Sequence, residues 1–307
     1  MKKLLLASVA TLAAVSAFSA FAADLPSRKA APVYAPLPPM WTGFYAGLNA
    51  GYNFGTNSNA YSQNWGTNWV EAGVVALPGT APIAMDAFAS NTQSGFIGGG
   101  QIGYNYQYGS NILLGIETDI QGTGIRGTAR GGGAATGVGE PDATTRAVGQ
   151  TGIQGGVDWL GTVRGRIGYL WTPTLLVYGT GGFAYGGVYA NVVQSAYENT
   201  YDTNGDYALT NTWVGGGRQN QLLTGWTAGG GAEWMFMPNW SLKAEAVYWD
   251  LGRMNVQTAT FGVSGNASVL ANNLGWGRSS VSYQGVQAKV GVNYHFNWGA
   301  APVVAKY

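Results

Sequence analysis

Val286-Gln287-Ala288-Lys289-Val290-Gly291-Val292-Asn293-Tyr294-His295-Phe296, near the C-terminus, alternates without a break. Val286, Ala288, Val290, Val292, Tyr294 and Phe296 share one face; Gln287, Lys289, Gly291, Asn293 and His295 share the other. Side chains along a strand point to opposite sides with a period of two, so this is a strand with one apolar and one polar face. A soluble β-sandwich uses such strands as well. The rest of the chain decides whether the apolar face meets a protein core or lipid.

Composition favours lipid. Of 307 residues, 50 are glycine, 13% are aromatic and only 9% are charged, against roughly 25% charged in an ordinary soluble domain. A surface that poor in charge is badly suited to water. The absence of cysteine excludes disulfides, thiolate chemistry and cysteine-ligated metal sites. A net charge of +1 offers no basic surplus for nucleic acid. With 12 Trp and 18 Tyr the chain is not disordered, and its glycines follow no collagen period.

Residues 1–22 have the form of a cleavable secretory signal peptide: Lys2 and Lys3, an apolar stretch from Leu4 to Phe18, and Ala20-Phe21-Ala22 before the cut. No later stretch supplies 18 consecutive apolar residues, so membrane insertion has to use strands. Residues 23–40 hold five of the 11 prolines and are expected to form an extended periplasmic linker.

From Trp41 onward, alternating runs recur in pairs. Apolar faces are read at Phe44–Phe54, at Phe96, Ile102, Tyr104 and Tyr106, and at Ile112, Leu114, Ile116 and Ile120. They continue at Trp159–Tyr169, at Leu175, Val177, Phe183 and Tyr185, at Trp226–Phe236 and at Leu242–Tyr248. With the opening stretch these make eight. Tight turns fall at Gly109, Pro173 and Pro238. Long stretches rich in Gly, Asn and Thr, roughly 55–91, 122–157, 186–222 and 251–280, read as structureless connections at the opposite end. Short turns at one rim and long loops at the other, with aromatics near strand ends, describe an eight-stranded antiparallel transmembrane β-barrel over 41–296. In hydrocarbon every backbone N–H and C=O needs a partner, so strands span only as a closed barrel. An even strand number puts both termini on the periplasmic side.

The inward charges are the candidate site. Glu117 and Asp119 are expected beside Arg164 and Arg166, and Glu233, Lys243, Glu245 and Lys289 in a second group. Four acids and four bases line either a constricted channel or a plugged interior, in which buried charges are tolerable because they are paired. The one histidine, His295, sits at the periplasmic end of the last strand, far from the loops, where it serves no Ser-His triad at the outer rim and no H-E-x-x-H metal site. Gly98–Gly103 fits G-x-G-x-x-G but lies inside a strand with no helix after it. Asp202–Asp206 starts like a calcium loop, but Trp213 stands where the bidentate Glu belongs. No cofactor, metal or catalytic residue is expected.

Two resemblances sharpen this reading. Lys289, Gly291, Tyr294 and Phe296 resemble the assembly signal on the final strand of bacterial outer-membrane barrels. Ala23-Asp24-Leu25-Pro26, Trp41–Gly51, Gly165-Arg166-Ile167-Gly168-Tyr169, Val177–Gly182 and Gly291–Phe296 resemble the small outer-membrane β-barrel proteins of alphaproteobacteria, the porin-family or outer-membrane immunogenic proteins. The resemblance implies an OmpA-like eight-stranded barrel in the cell outer membrane, a structural component and surface antigen. A narrow porin-like channel is the alternative, and hemin capture by loop tyrosines such as Tyr197, Tyr201 or Tyr207 a third. The implied partners are outer-membrane lipid and lipopolysaccharide, the assembly machinery, and a host or environmental ligand at the loops, with no nucleic acid. Family chains commonly stop at the terminal aromatic; here 297–307 is expected to hang in the periplasm as a tail.

Overall fold

The computed structural model describes residues 41–296 except 57–58, 69–76, 79, 140–142, 202–203 and 265–272. The signal peptide, the linker, the tail 297–307 and the start of the calcium-like stretch lie outside the described residues. Among the described residues, β1 (Gly43–Gly55), β5 (Gly95–Tyr108), β6 (Ile112–Gly139), β7 (Ala143–Thr172), β8 (Leu175–Tyr201), β9 (Tyr207–Met237), β10 (Trp240–Ser264) and β11 (Asn273–Phe296) form an antiparallel ring. The ring closes where β1 meets β11, from Phe44 opposite Phe296 to Gly55 opposite Gly285. The opening stretch of the sequence is therefore the seam strand, and Phe296 is its last paired residue. Deleting 297–307 is expected to leave the heat-modifiable, folded form intact on unboiled gels; its loss would place the end of the barrel beyond Phe296.

The barrel has two storeys with different interiors. In the lower storey the outward positions are apolar and exposed (Leu48, Ile116, Ile167, Trp226, Val290), while the inward ones are polar or charged in its middle and apolar at its lower end, where Leu113, Leu170, Leu176 and Met235 are buried. These outward rows form the band that faces hydrocarbon. In the upper storey Ile125, Ala129, Ile153, Val188, Val192, Met254, Val256 and Val281 pack with Trp249 and Tyr283 into one apolar cluster, above which polar residues such as Gln194, Glu198 and Asn211 are also buried. The outward positions there mix exposed polar residues, such as Arg126, Arg130, Gln150 and Gln154, with exposed apolar ones, such as Val138, Val148, Val193 and Phe261.

This corrects one expectation. The described residues of 122–157, 186–222 and 251–280 are not structureless connections. They are the continuations of β6–β7, β8–β9 and β10–β11, with ladders running up to Gly139 opposite Ala143, Tyr201 opposite Tyr207, and Gly262 opposite Asn273. Hairpins this long stand in water because their inner faces bury each other's apolar side chains, and the ladder pairs the backbone. The storeys meet at register shifts: Gly122/Ile125 in β6, Val157/Trp159 in β7 and Asp250/Gly252 in β10. A β-bulge adds one residue, so the following side chains change face in β7 and β10, whereas in β6 the buried positions stay odd from Asp119 through Ile125 to Ala129. In β7 the buried series Thr162, Arg164, Arg166 accordingly gives way above the bulge to Val157, Ile153 and Thr151. Gly252 adopts φ 80°, and its N–H donates to Asp250 Oδ1 at 2.7 Å, which seats the third bulge.

β1 and β5 are short, and the connection between them completes the upper wall. β2 (Asn59–Asn68) pairs with β11 from Ala60 opposite Val281 to Thr67 opposite Leu274, and β4 (Ala87–Ser90) pairs with β2; β3 (Leu77–Pro78) adds two residues. The single turn α1 (Thr80–Ala84) lies inside, buried with Met85 against Trp213, Ala147 and Ala196. Ala81 N–H donates to Glu198 at 3.3 Å, and Thr151 Oγ1 donates to Met85 O at 2.6 Å. Asp86, just after this turn, accepts from Asn64 N and Nδ2; burial nevertheless raises its carboxyl above the ordinary range. At the opposite end Trp41 is fully buried among Leu113, Leu170, Leu176 and Met235, and its Nε1 donates to Pro173 O at 3.0 Å. The interior is thus stopped below by an indole and above by a helical turn.

Candidate functional site

The lower interior holds all eight of the charged residues anticipated from strand parity, and none is more than 5% exposed. Glu117 on β6 stands directly opposite Arg164 on β7, and Glu245 on β10 opposite Lys289 on β11. The rest of the arrangement comes from the curvature of the ring. Arg164 Nη2 donates to Glu117 at 2.5 Å, Asp119 at 2.9 Å and Glu245 at 3.1 Å. Lys243 reaches across the lumen to both oxygens of Glu117, at 3.0 and 2.9 Å. Lys289 meets Asp119 at 2.9 Å and Glu245 at 3.0 Å. Arg166 pairs with Glu233 at 2.7 Å and lies 3.4 Å from Glu117. One connected network replaces the two separate groups that neighbouring strands suggested.

Several members escaped the sequence reading. Tyr45 Oη donates to Glu117 at 2.6 Å and accepts from Arg166 at 2.6 Å, and Tyr178 Oη donates to Glu245 at 2.8 Å. The Arg166 guanidinium lies 4.0 Å from the Tyr178 ring centroid, a cation–π stack. Thr162 Oγ1 donates to Asp119 Oδ1 at 2.9 Å, and Asn293 Nδ2 to Glu233 Oε1 at 2.7 Å. The available signal was parity: Tyr45 and Tyr178 fall on the polar faces of their strands. Space for them comes from inward glycines. A Cβ at Gly103 would fall 2.4 Å from Tyr45 Oη, and one at Gly51 2.7 Å from Lys289 Cβ.

Three carboxylates, Glu117, Asp119 and Glu245, bring oxygens within 4.8 Å of one another. Arg164 Nη2 hydrogen-bonds all three and the two lysines bracket them, so the positive charge that such a cluster needs comes from the chain itself. At the lower end, His295 Nε2 lies 2.9 Å from Ser241 Oγ and 3.3 Å from Glu233 Oε1, while Ser241 Oγ donates to Glu233 at 2.6 Å. Serine and acid share one ring nitrogen, whereas a Ser-His-acid relay sets the acid on the other. Of the tyrosines considered for hemin, Tyr197 is 64% exposed on the upper wall, and Tyr201 lies under the Arg146 guanidinium at 5.6 Å. The Tyr207 side chain lies outside the described residues. Of the four residues that resemble an assembly signal, Lys289 and Gly291 face inward and Tyr294 and Phe296 outward, where their rings meet edge to face at 5.1 Å.

A closed ring of strands with an apolar outer band and a buried, paired set of interior charges is the build of a membrane β-barrel. No protein-family model matches the chain. The 31 kDa outer-membrane immunogenic protein of Brucella melitensis biotype 1 is 36% identical over 307 residues, spanning 96% of this chain and 100% of that one; the Brucella suis biovar 1 protein of the same name gives the same figures. The chain belongs to the outer-membrane immunogenic protein family. It resides in the cell outer membrane. Among solved structures it is also similar to the outer membrane protein OprG from Pseudomonas aeruginosa, with TM-score 0.39 and 12% identity over 85% of this chain and 100% of that chain. Ail of Yersinia pestis gives TM-score 0.27 and 11% identity over 81% and 99%.

Proposed function

We propose that this family member is a non-enzymatic structural component of the outer membrane, a sealed barrel that displays an ordered β surface outside the cell. The observation that carries the reading is the lumen. Its eight charges are mutually compensated and buried, with Trp41 below the network and the α1 turn above it. An eight-stranded barrel is just wide enough for side chains to fill, and a filled, paired interior leaves no hydrated path. The Ser241–His295–Glu233 contact is buried at the periplasmic end and lacks relay geometry, which supports a role without catalysis. The name of the Brucella relatives, outer-membrane immunogenic protein, supports display as a surface antigen. Lipid and lipopolysaccharide surround the barrel in this reading, the assembly machinery reads Lys289–Phe296, and any host or environmental ligand meets the upper storey.

Planar-bilayer recording of the refolded protein tests it. The expected trace is silent, both for the native chain and after Lys289→Met. Discrete steps whose size changes when Arg164 and Arg166 become Ala would overturn the sealed barrel in favour of a pore.

A further inference from the structure

The outer wall of the upper storey carries a depression of about 410 Å³ across β6, β7 and β8. Its floor is Gly152, which stands between Arg130 on β6 and Val193 on β8. A Cβ at Gly152 would approach only Val193 O, at 3.9 Å, so the missing side chain opens space rather than relieving a clash. Gln150 and Gln154 flank the glycine on the same face of β7, and Ser195 and Asn191 stand opposite them on β8. Every one of these rim side chains is exposed or half-buried on the outside of the barrel.

The chemistry of the rim is selective. Arg130 has no acidic partner among the described residues, and no acid lines the depression. Of the other arginines of this wall, Arg126 pairs with Asp158 at 3.0 Å, Arg253 donates to Ser282 at 3.2 Å and Arg146 lies over Tyr201, while Arg218 and Arg278 are exposed and have no acidic partner among the described residues; of these unpaired three, Arg130 is the one that lines the depression. A guanidinium fork matches the paired oxygens of a phosphate or carboxylate. Three side-chain amides and a hydroxyl each offer donor and acceptor, which suits vicinal hydroxyls that do both. No ring lines the depression, so it has no stacking platform for a nucleobase. It also lies on the upper storey, which under the surface-display reading stands among surface saccharides rather than lipid chains.

We propose that this depression binds an anionic saccharide, with Arg130 on its phosphate or carboxylate and Gln150, Gln154 and Asn191 on its hydroxyls. The proposal deepens the surface-display reading and rests on it. Such a sugar comes either from the phosphorylated core of lipopolysaccharide or from a carboxylated glycan of another cell, and the probes separate the two. Refolded full-length protein in detergent is titrated with phosphorylated core oligosaccharide, its enzymatically dephosphorylated form, and a uronic-acid trisaccharide. Saturable binding at millimolar concentration is expected for at least one anionic probe. Preference for the first assigns the cell's own lipopolysaccharide, and preference for the third assigns a foreign glycan. Arg130→Ala is expected to weaken binding about tenfold, Arg130→Lys less, and Gly152→Trp, which fills the floor, to abolish it. All three variants keep the heat-modifiable gel shift, so loss of binding is not loss of fold. Equal binding of the dephosphorylated sugar, no binding of any probe, or full binding by Gly152→Trp overturns the assignment. A barrel that conducts in bilayers yet binds through Arg130 would overturn the sealed lumen and leave this site standing.

Discussion

Glu117→Ala is expected to destabilise the barrel by about 3–5 kcal/mol, the usual consequence of leaving buried charge unpaired. Glu117 is the hub of the lumen. It accepts from Arg164, Lys243 and Tyr45, with Arg166 at 3.4 Å, and is 1% exposed. Its removal leaves three cations with fewer acids than they need and no water to replace them. The measurement is the urea midpoint of the folded, unboiled gel species in detergent micelles. Glu117→Gln, which keeps the acceptor and loses the charge, falls between the two. Arg164→Met in the Glu117→Ala background recovers part of the loss, since removing both members of a buried pair is milder than removing one. A change below about 1 kcal/mol for Glu117→Ala would mean that the lumen is hydrated and its charges screened.

Val192→Asp is the second large effect, and it is expected to stay confined to the upper storey. Val192 is 1% exposed inside the apolar cluster, where an unpaired carboxylate costs several kcal/mol. The extension should open while the lower barrel, held by its network and by lipid, stays closed. Amide hydrogen exchange reads the difference: protection lost across 125–157 and 186–223 and retained across 112–120 and 286–296. Val193→Asp is the internal control, because Val193 is its neighbour but 60% exposed, and surface changes usually fall within about 0.5 kcal/mol. Uniform loss of protection in both regions would show that the storeys unfold as one.

The lower storey was legible because its alternation has high contrast, with Leu, Ile, Phe and Trp outside and Gly, Asn or charge inside. The upper storey was hidden by the same rule applied with the sign reversed. In Val188-Tyr189-Ala190-Asn191-Val192 the small apolar residues face inward and the polar ones outward, but glycine, asparagine and threonine around them read as loop. The bulges deepen the concealment, since one added residue in β7 moves the pattern from even to odd positions. Charge inventory was readable from parity alone. Partnership was not, because Lys243 and Glu117 meet only when the sheet curls β10 round to face β6. No rule about adjacent strands contains that curvature.

The reversal of polarity at the bulges also divides the temperature response of one continuous sheet. Opening the upper storey hydrates buried hydrocarbon, so it carries a positive heat capacity change, and its stability passes through a maximum and falls on cooling as well as on heating. The lower storey keeps its outward apolar side chains against lipid, and apart from the small cluster around Trp41 its cohesion comes from charge pairs and backbone ladders that gain nothing from the ordering of water. Chilling therefore loosens the outward-facing half first, while the ring in the membrane stays shut.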